Sequence, residues 1–183
     1  MKIQKHLPVK SILFDFDGTL CDSQPAFTKW HTLARQHLAK VLNVDYETAD
    51  AHFSRLWREG NHHYYVNPNK LIKHTIKGIK TEYPQLTDRN AKILKEILLN
   101  VYTEPVYLYP DAEEIINKLA SYKIKIGIVT HASSQWTKKK MQWTKINKFL
   151  LAKHPYVVSM NELKDHLSWS SAADHYGIDK LHT

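Results

Sequence analysis

Ile12-Leu13-Phe14, running into Asp15-Phe16-Asp17-Gly18-Thr19-Leu20, constrains this chain more than any other stretch. Three apolar residues in a row fit a short strand buried on both faces. Strand side chains alternate, so Asp15 and Asp17 start on the same side, about 6.6 Å apart at about 3.3 Å per residue. Two acids at the carboxyl end of a buried strand stand where open α/β sheets place their chemistry. Their repulsion has to be offset by a cation or by protonation of one. Gly18 permits a sharp turn, with positive φ where the turn asks for it. A strand ending in a turn with two solvated aspartates is the bland alternative. A calcium loop is a poorer one, since it wants a third ligand before its glycine and a glutamate beyond it.

The chain has 183 residues, enough for one medium domain or a core with a modest insertion. No apolar run approaches the roughly 18 residues of a membrane span, and the N-terminus lacks a signal-peptide core. No membrane partner and a cytoplasmic location are therefore expected. Cys21 is the only cysteine, which rules out an internal disulfide and fits a reducing compartment. Beside two aspartates it is the weaker nucleophile candidate, and packing is its commoner use. A net charge of +8 and a pI near 9.4 predict an affinity for anions. Lys70, Lys73, Lys77 and Lys80 recur at helical spacing, and Lys138-Lys139-Lys140 form a run. A solvated helix face is the usual origin of such sets. A field drawing phosphorylated metabolites to the site is a second reading, and nucleic acid a third, less favoured one. His62-His63 lack a second ligand pair at finger spacing, which argues against structural zinc.

Beyond the acidic strand the periodicity becomes helical for about eighty residues. Ser23 is expected to cap a first helix with Pro25 in its first turn and Phe27, Trp30, Leu33, Ala34 and Leu38 inward. A second starts at Asp45, carries Ala49, Phe53, Leu56 and Trp57, and is expected to stop at Gly60. Asn67-Pro68 opens a third, with Leu71, Ile72, Thr75, Ile76 and Ile79 inward. Thr87 opens a fourth, with Ala91, Leu94, Leu98 and Val101 on one face. Four such helices make a small bundle, inserted over 23–104. From Pro105 the core resumes: a helix capped by Asp111 with Ile115, Ile116 and Leu119 inward, then a strand over 123–129. A polar loop, Thr130 to Ser134, leads into the helix with the lysine run. Tyr156–Ser159 is a third strand, and Leu167–Tyr176 a last helix stopped by Gly177. Alternating strands and helices imply an α/β fold, a Rossmann-like parallel sheet built from 1–22 and 105–183.

Phe14-Asp15-Phe16-Asp17-Gly18-Thr19-Leu20-Cys21-Asp22-Ser23 resembles the first signature of the haloacid dehalogenase (HAD-like) phosphohydrolases. A strand ending in Thr130 is similar to the family's second signature, with His131 where asparagine commonly stands. Lys164 matches the third by position, though Asp165 replaces the usual proline; Lys153 is the fallback. The fourth signature, a strand ending in an aspartate that completes the magnesium site, has no counterpart before Thr183. A fragment or shortened product is therefore expected, with weak magnesium affinity and an open sheet edge beside 12–17 that self-association would cover.

The resemblance implies a HAD-like core with a helical cap, and a phosphatase of the phosphoglycolate phosphatase type. Asp15 would attack phosphorus and Asp17 would protonate the leaving alkoxide. Mg2+ would be held by the Asp15 carboxylate and the Asp17 carbonyl, and the phosphate by Gly18, Thr130, His131 and Lys164. The implied partner is a small phosphorylated metabolite, such as phosphoglycolate, a sugar phosphate or a nucleotide. The family's dehalogenases typically carry tyrosine where Asp17 stands, because a halide leaving group needs no proton. A phosphoglucomutase-like transferase, and an inactive relative binding an acidic partner or nucleic acid, are the competing readings.

Overall fold

The computed structural model describes residues 9–64, 67–146, 156–157, 171–172 and 174–176. In chain order its elements are β1 (Ser11–Phe14), β2 (Cys21–Asp22), α1 (Gln24–Leu42), α2 (Tyr46–Tyr64), α3 (Pro68–Glu82) and α4 (Asp88–Asn100). There follow β3 (Tyr107–Leu108), α5 (Pro110–Ser121), β4 (Lys125–Thr130), α6 (Ser134–Trp143) and β5 (Tyr156–Val157). The chain divides into two compact units, Met1–Asp22 with Val106–Thr183, and Ser23–Pro105. No helix among the described residues is long and apolar enough to cross a membrane.

The first unit is built on a parallel sheet in the order β1-β4-β5, with β1 in register from Ser11 opposite Lys125 to Phe14 opposite Ile128. β4 is the buried strand, Ile126 to Thr130 all being shielded. β1 was expected to be buried on both faces, yet all four of its residues are only half-buried. It ends the order of the described strands, and a strand with one neighbour cannot be covered as the central one is. Phe16, Leu20, Cys21, Val106, Ile116 and Met141 pack with Ile126 and Ile128 into one core. Asp111 does not cap α5: the helix starts one residue earlier after Tyr109, and Asp111 lies in its first turn. Ile115 is 48 % exposed, so Ile116 alone of that pair faces inward.

Between β4 and β5 the Tyr176 hydroxyl stands in for a missing ladder bond. It donates to the Ile128 carbonyl at 2.7 Å and accepts from the Ile128 and Tyr156 N–H groups at 3.0 and 3.1 Å. Burial pushes this phenol above its ordinary pKa. Strand pairing proper starts one residue on, with Val129 opposite Tyr156.

The second unit is the four-helix bundle. Asn67 and Thr87 cap α3 and α4, their side chains accepting from Lys70 N at 3.1 Å and Asn90 N at 3.2 Å. Leu38, Phe53, Ile72, Ile79, Leu94 and Leu98 fill its centre. Three expectations fail here. Ser23 precedes α1 in helical conformation and makes no side-chain capping bond. Leu33 is 38 % exposed, while His31 takes an inward place on α1. Gly60 does not stop α2, which runs on to Tyr64. A Cβ at Gly60 would come within 2.8 Å of Leu71 and His74, and one at Gly78 within 2.5 Å of Leu56. The two glycines let α2 and α3 approach closely, and at Gly60 the sequence pattern reads as a helix end instead.

Candidate active site

The chain leaves β1 at Phe14 and turns at once. The Phe16 carbonyl accepts from Leu20 N at 2.9 Å and from Cys21 N at 3.1 Å, while Gly18 N donates to the Cys21 carbonyl at 2.9 Å. The turn needs Gly18 at φ +76°, and no atom lies within 4 Å of where its Cβ would stand. Glycine is therefore required by backbone conformation and not by lack of room. Phe16 is fully buried and Asp15 and Asp17 on either side are half-buried, the alternation expected of a strand end. Asp15 accepts a hydrogen bond from Phe16 N at 2.8 Å.

The cation that the two acids require is Lys140. Its ammonium pairs with both carboxylate oxygens of Asp17, and its side chain is wholly shielded from solvent. It lies over the Trp136 ring, 3.6 Å from the centroid, and 5.6 Å from that of Phe16. Burial pulls this ammonium below the ordinary lysine range, while Asp17 first, and Asp15 beyond it, hold it toward the charged form. The run at 138–140 was read as a solvated face or a source of long-range field. Lys139 is exposed, but Lys140 is in the core. The signal was present: Trp136, Thr137, Lys140 and Met141 fall on one helix face at steps of one, three and one, and all four are buried.

Thr130 ends β4, one strand over from β1. Its hydroxyl accepts from Ala132 N at 3.0 Å, which leaves its one O–H to donate. His131 follows, half-buried, and Ser133 caps α6 by accepting from Trp136 N at 3.3 Å. The structure thus places Asp15, Asp17, Gly18, Thr130 and His131 at the carboxyl ends of two adjacent parallel strands and adds Lys140. Lys164 and Lys153 lie outside the described residues.

The Asp15 carboxylate and the Asp17 main-chain carbonyl are hard oxygen donors two residues apart. Among the described residues, no group of three His, Cys, Asp or Glu gathers to enclose an ion. Such a sparse oxygen set suits magnesium, which keeps several waters and takes one or two carboxylates with substrate phosphate.

The sequence model of the haloacid dehalogenase-like hydrolases matches residues 9–153. The chain belongs to that family. Its fold agrees. A haloacid dehalogenase-like family hydrolase from Xanthomonas campestris superposes with a TM-score of 0.73 at 15% identity, over 95% of this chain and 70% of that one. A HAD phosphatase from Thermococcus onnurineus gives 0.59 at 18% identity, over 93% and 73%. A dehalogenase gives 0.58 at 21% identity, also over 93% and 73%. Among curated proteins, none matches this HAD-like hydrolase by sequence.

Proposed function

We propose that this HAD-like hydrolase is a phosphatase acting on small phosphate monoesters through an aspartyl-phosphate on Asp15. The observation that supports it best is the carboxylate of Asp17, two residues past the nucleophile and held by the buried Lys140. An alkoxide leaving group needs a proton at that point, whereas a halide does not. In this reading Asp15 attacks phosphorus and the P–O bond to the leaving group breaks. The proton shared by the Lys140–Asp17 pair passes through Asp17 to the departing alkoxide, and the water that cleaves the acyl phosphate returns one to Asp17 and so to the pair. The Thr130 hydroxyl, the His131 N–H and the start of α6 take the phosphate oxygens. Lys140 fixes the orientation of Asp17 and offsets the charge of the acidic pair. The Asp15 carboxylate and Asp17 carbonyl would hold Mg2+, which when bound supplies Lewis-acid neutralisation of phosphate charge. The test is magnesium-dependent hydrolysis of an aryl phosphate by the full chain. Asp15→Asn should lower kcat by about 10⁴-fold or more with unchanged melting. Undiminished turnover in that variant would remove Asp15 from its role, and chloride release from a 2-haloacid without phosphatase activity would replace the reading.

A further inference from the structure

A groove of about 870 Å³ runs between α3 and α4. Lys73, Lys77 and Lys80 line one wall and Lys92 and Lys95 the other, over a floor that includes Ile76 and Ala91. The one acid in its lining, Asp88, is paired with Lys80. The other four lysines are exposed, and no carboxylate among the described residues pairs with them. Residues 68–100 hold seven of the chain's 26 basic residues and three of its 18 acidic ones, so half of the net charge of +8 sits on these two helices. Lys73 with Lys77 and Lys92 with Lys95 are like-charged neighbours at helical spacing, which opposes folding. A ligand bearing a row of negative charges would relieve it.

A second hollow of about 330 Å³ shares Lys73 and Lys77 with the groove and adds Lys70, Tyr64 and His74. The Tyr64 and His74 rings lie 5.6 Å apart there. The basic track therefore ends on an aromatic pair. Phosphate charges along a strand with bases that stack on rings fit such a surface. A membrane-facing helix shows large apolar residues, and none of the exposed large apolar residues described lies on α3 or α4. Packed helix axes stand about 8–10 Å apart, so the groove admits one strand but not a duplex.

From these observations we propose that the α3–α4 groove binds single-stranded nucleic acid, independently of the phosphatase reading. The test is fluorescence anisotropy of labelled twelve-nucleotide oligo-dT and oligo-rU with the full chain, between 50 and 200 mM salt. Four neutralised phosphates give a log–log salt slope of about −2.8. Replacing Lys73, Lys77, Lys92 and Lys95 together by glutamine should weaken binding at least tenfold and flatten the slope. Tyr64→Ala should weaken it severalfold with the slope kept. Glutamine at four exposed lysines elsewhere (Lys10, Lys118, Lys125, Lys139) should change neither. The lysine changes are all at exposed sites and Tyr64 is half-buried, and circular dichroism verifies the folding of every variant. The proposal fails if the intact chain leaves the anisotropy unchanged at 50 mM salt, or if both quadruple variants lose binding equally. It also fails if polyglutamate displaces the oligonucleotide as well as unlabelled strand does, which would assign the groove to an acidic protein. Turnover enters none of these readouts, so the two readings stand or fall apart.

Discussion

Among the described residues, each unit of this hydrolase buries one strongly basic or titratable nitrogen base, His31 in the bundle and Lys140 in the α/β unit. His31 sits among rings, with Phe27, Phe53 and Trp57 at 5.5, 5.3 and 4.6 Å. Its Nε2 has no hydrogen-bond partner. Burial, and then the nearby Arg35 charge, lower its pKa to about 4, so the imidazole is neutral at pH 7. It behaves as one more aromatic of the core. Lys140 is as well shielded but carries its charge against Asp17, over the faces of Trp136 and Phe16. Desolvating an ion costs several kcal/mol, and an apolar side chain of like volume often serves stability as well. The bundle buries its base neutral, as an apolar surround asks, whereas the α/β unit departs from that rule and keeps its base charged, beside its acids. That departure is where chemistry is to be sought.

The contrast can be broken most directly at Lys140. Lys140→Met should lower kcat for an aryl phosphate by about 10²–10³-fold, on the scale of losing one positioned donor. Lys139→Met should leave it unchanged, since that side chain is exposed. Equal turnover in both variants would make Lys140 a packing residue like His31. The next largest effect is acid sensitivity of the bundle. Folded His31 takes up its proton near pH 4 and the unfolded residue near 6.5, so the unfolded state protonates first as pH falls. The stability this neutral ring confers is complete above pH 6.5 and is lost on the way down to 4, at most about 3 kcal/mol. Urea titrations at pH 7 and 4.5 should show that loss in the wild type and lack it in His31→Phe. Gly78→Ala should cost about 1–2 kcal/mol, overpacking against Leu56 exceeding the gain in helix propensity. Smallest is Thr87→Ala, which removes the α4 cap for about 1 kcal/mol or less in thermal melting.

Much of the scaffold was legible because it rests on local rules. The caps at Asn67 and Thr87, the inward faces of α3 and α4, and the strand–turn–glycine stretch at 12–18 each follow from a handful of neighbouring residues. What escaped depends on contacts between distant segments. Gly60 reads as a stop until Leu71 and His74 are seen against it. Lys140 reads as surface charge because its partner lies 123 positions away. At the site, the acids and the threonine were visible as strand ends, whereas the cation was hidden by two lysines that do reach the surface side of the same helix.

One phenolic oxygen has a wider reach than its size suggests. By occupying the space where β4 and β5 would first bond, the Tyr176 hydroxyl acts as a spacer, and the two strands can close on each other only beyond it, at Val129 and Thr130. Tyr176 thus grips, through the Ile128 backbone, the strand that carries Thr130, so loosening that one hydroxyl would act on the Thr130 end of the sheet without touching any acid.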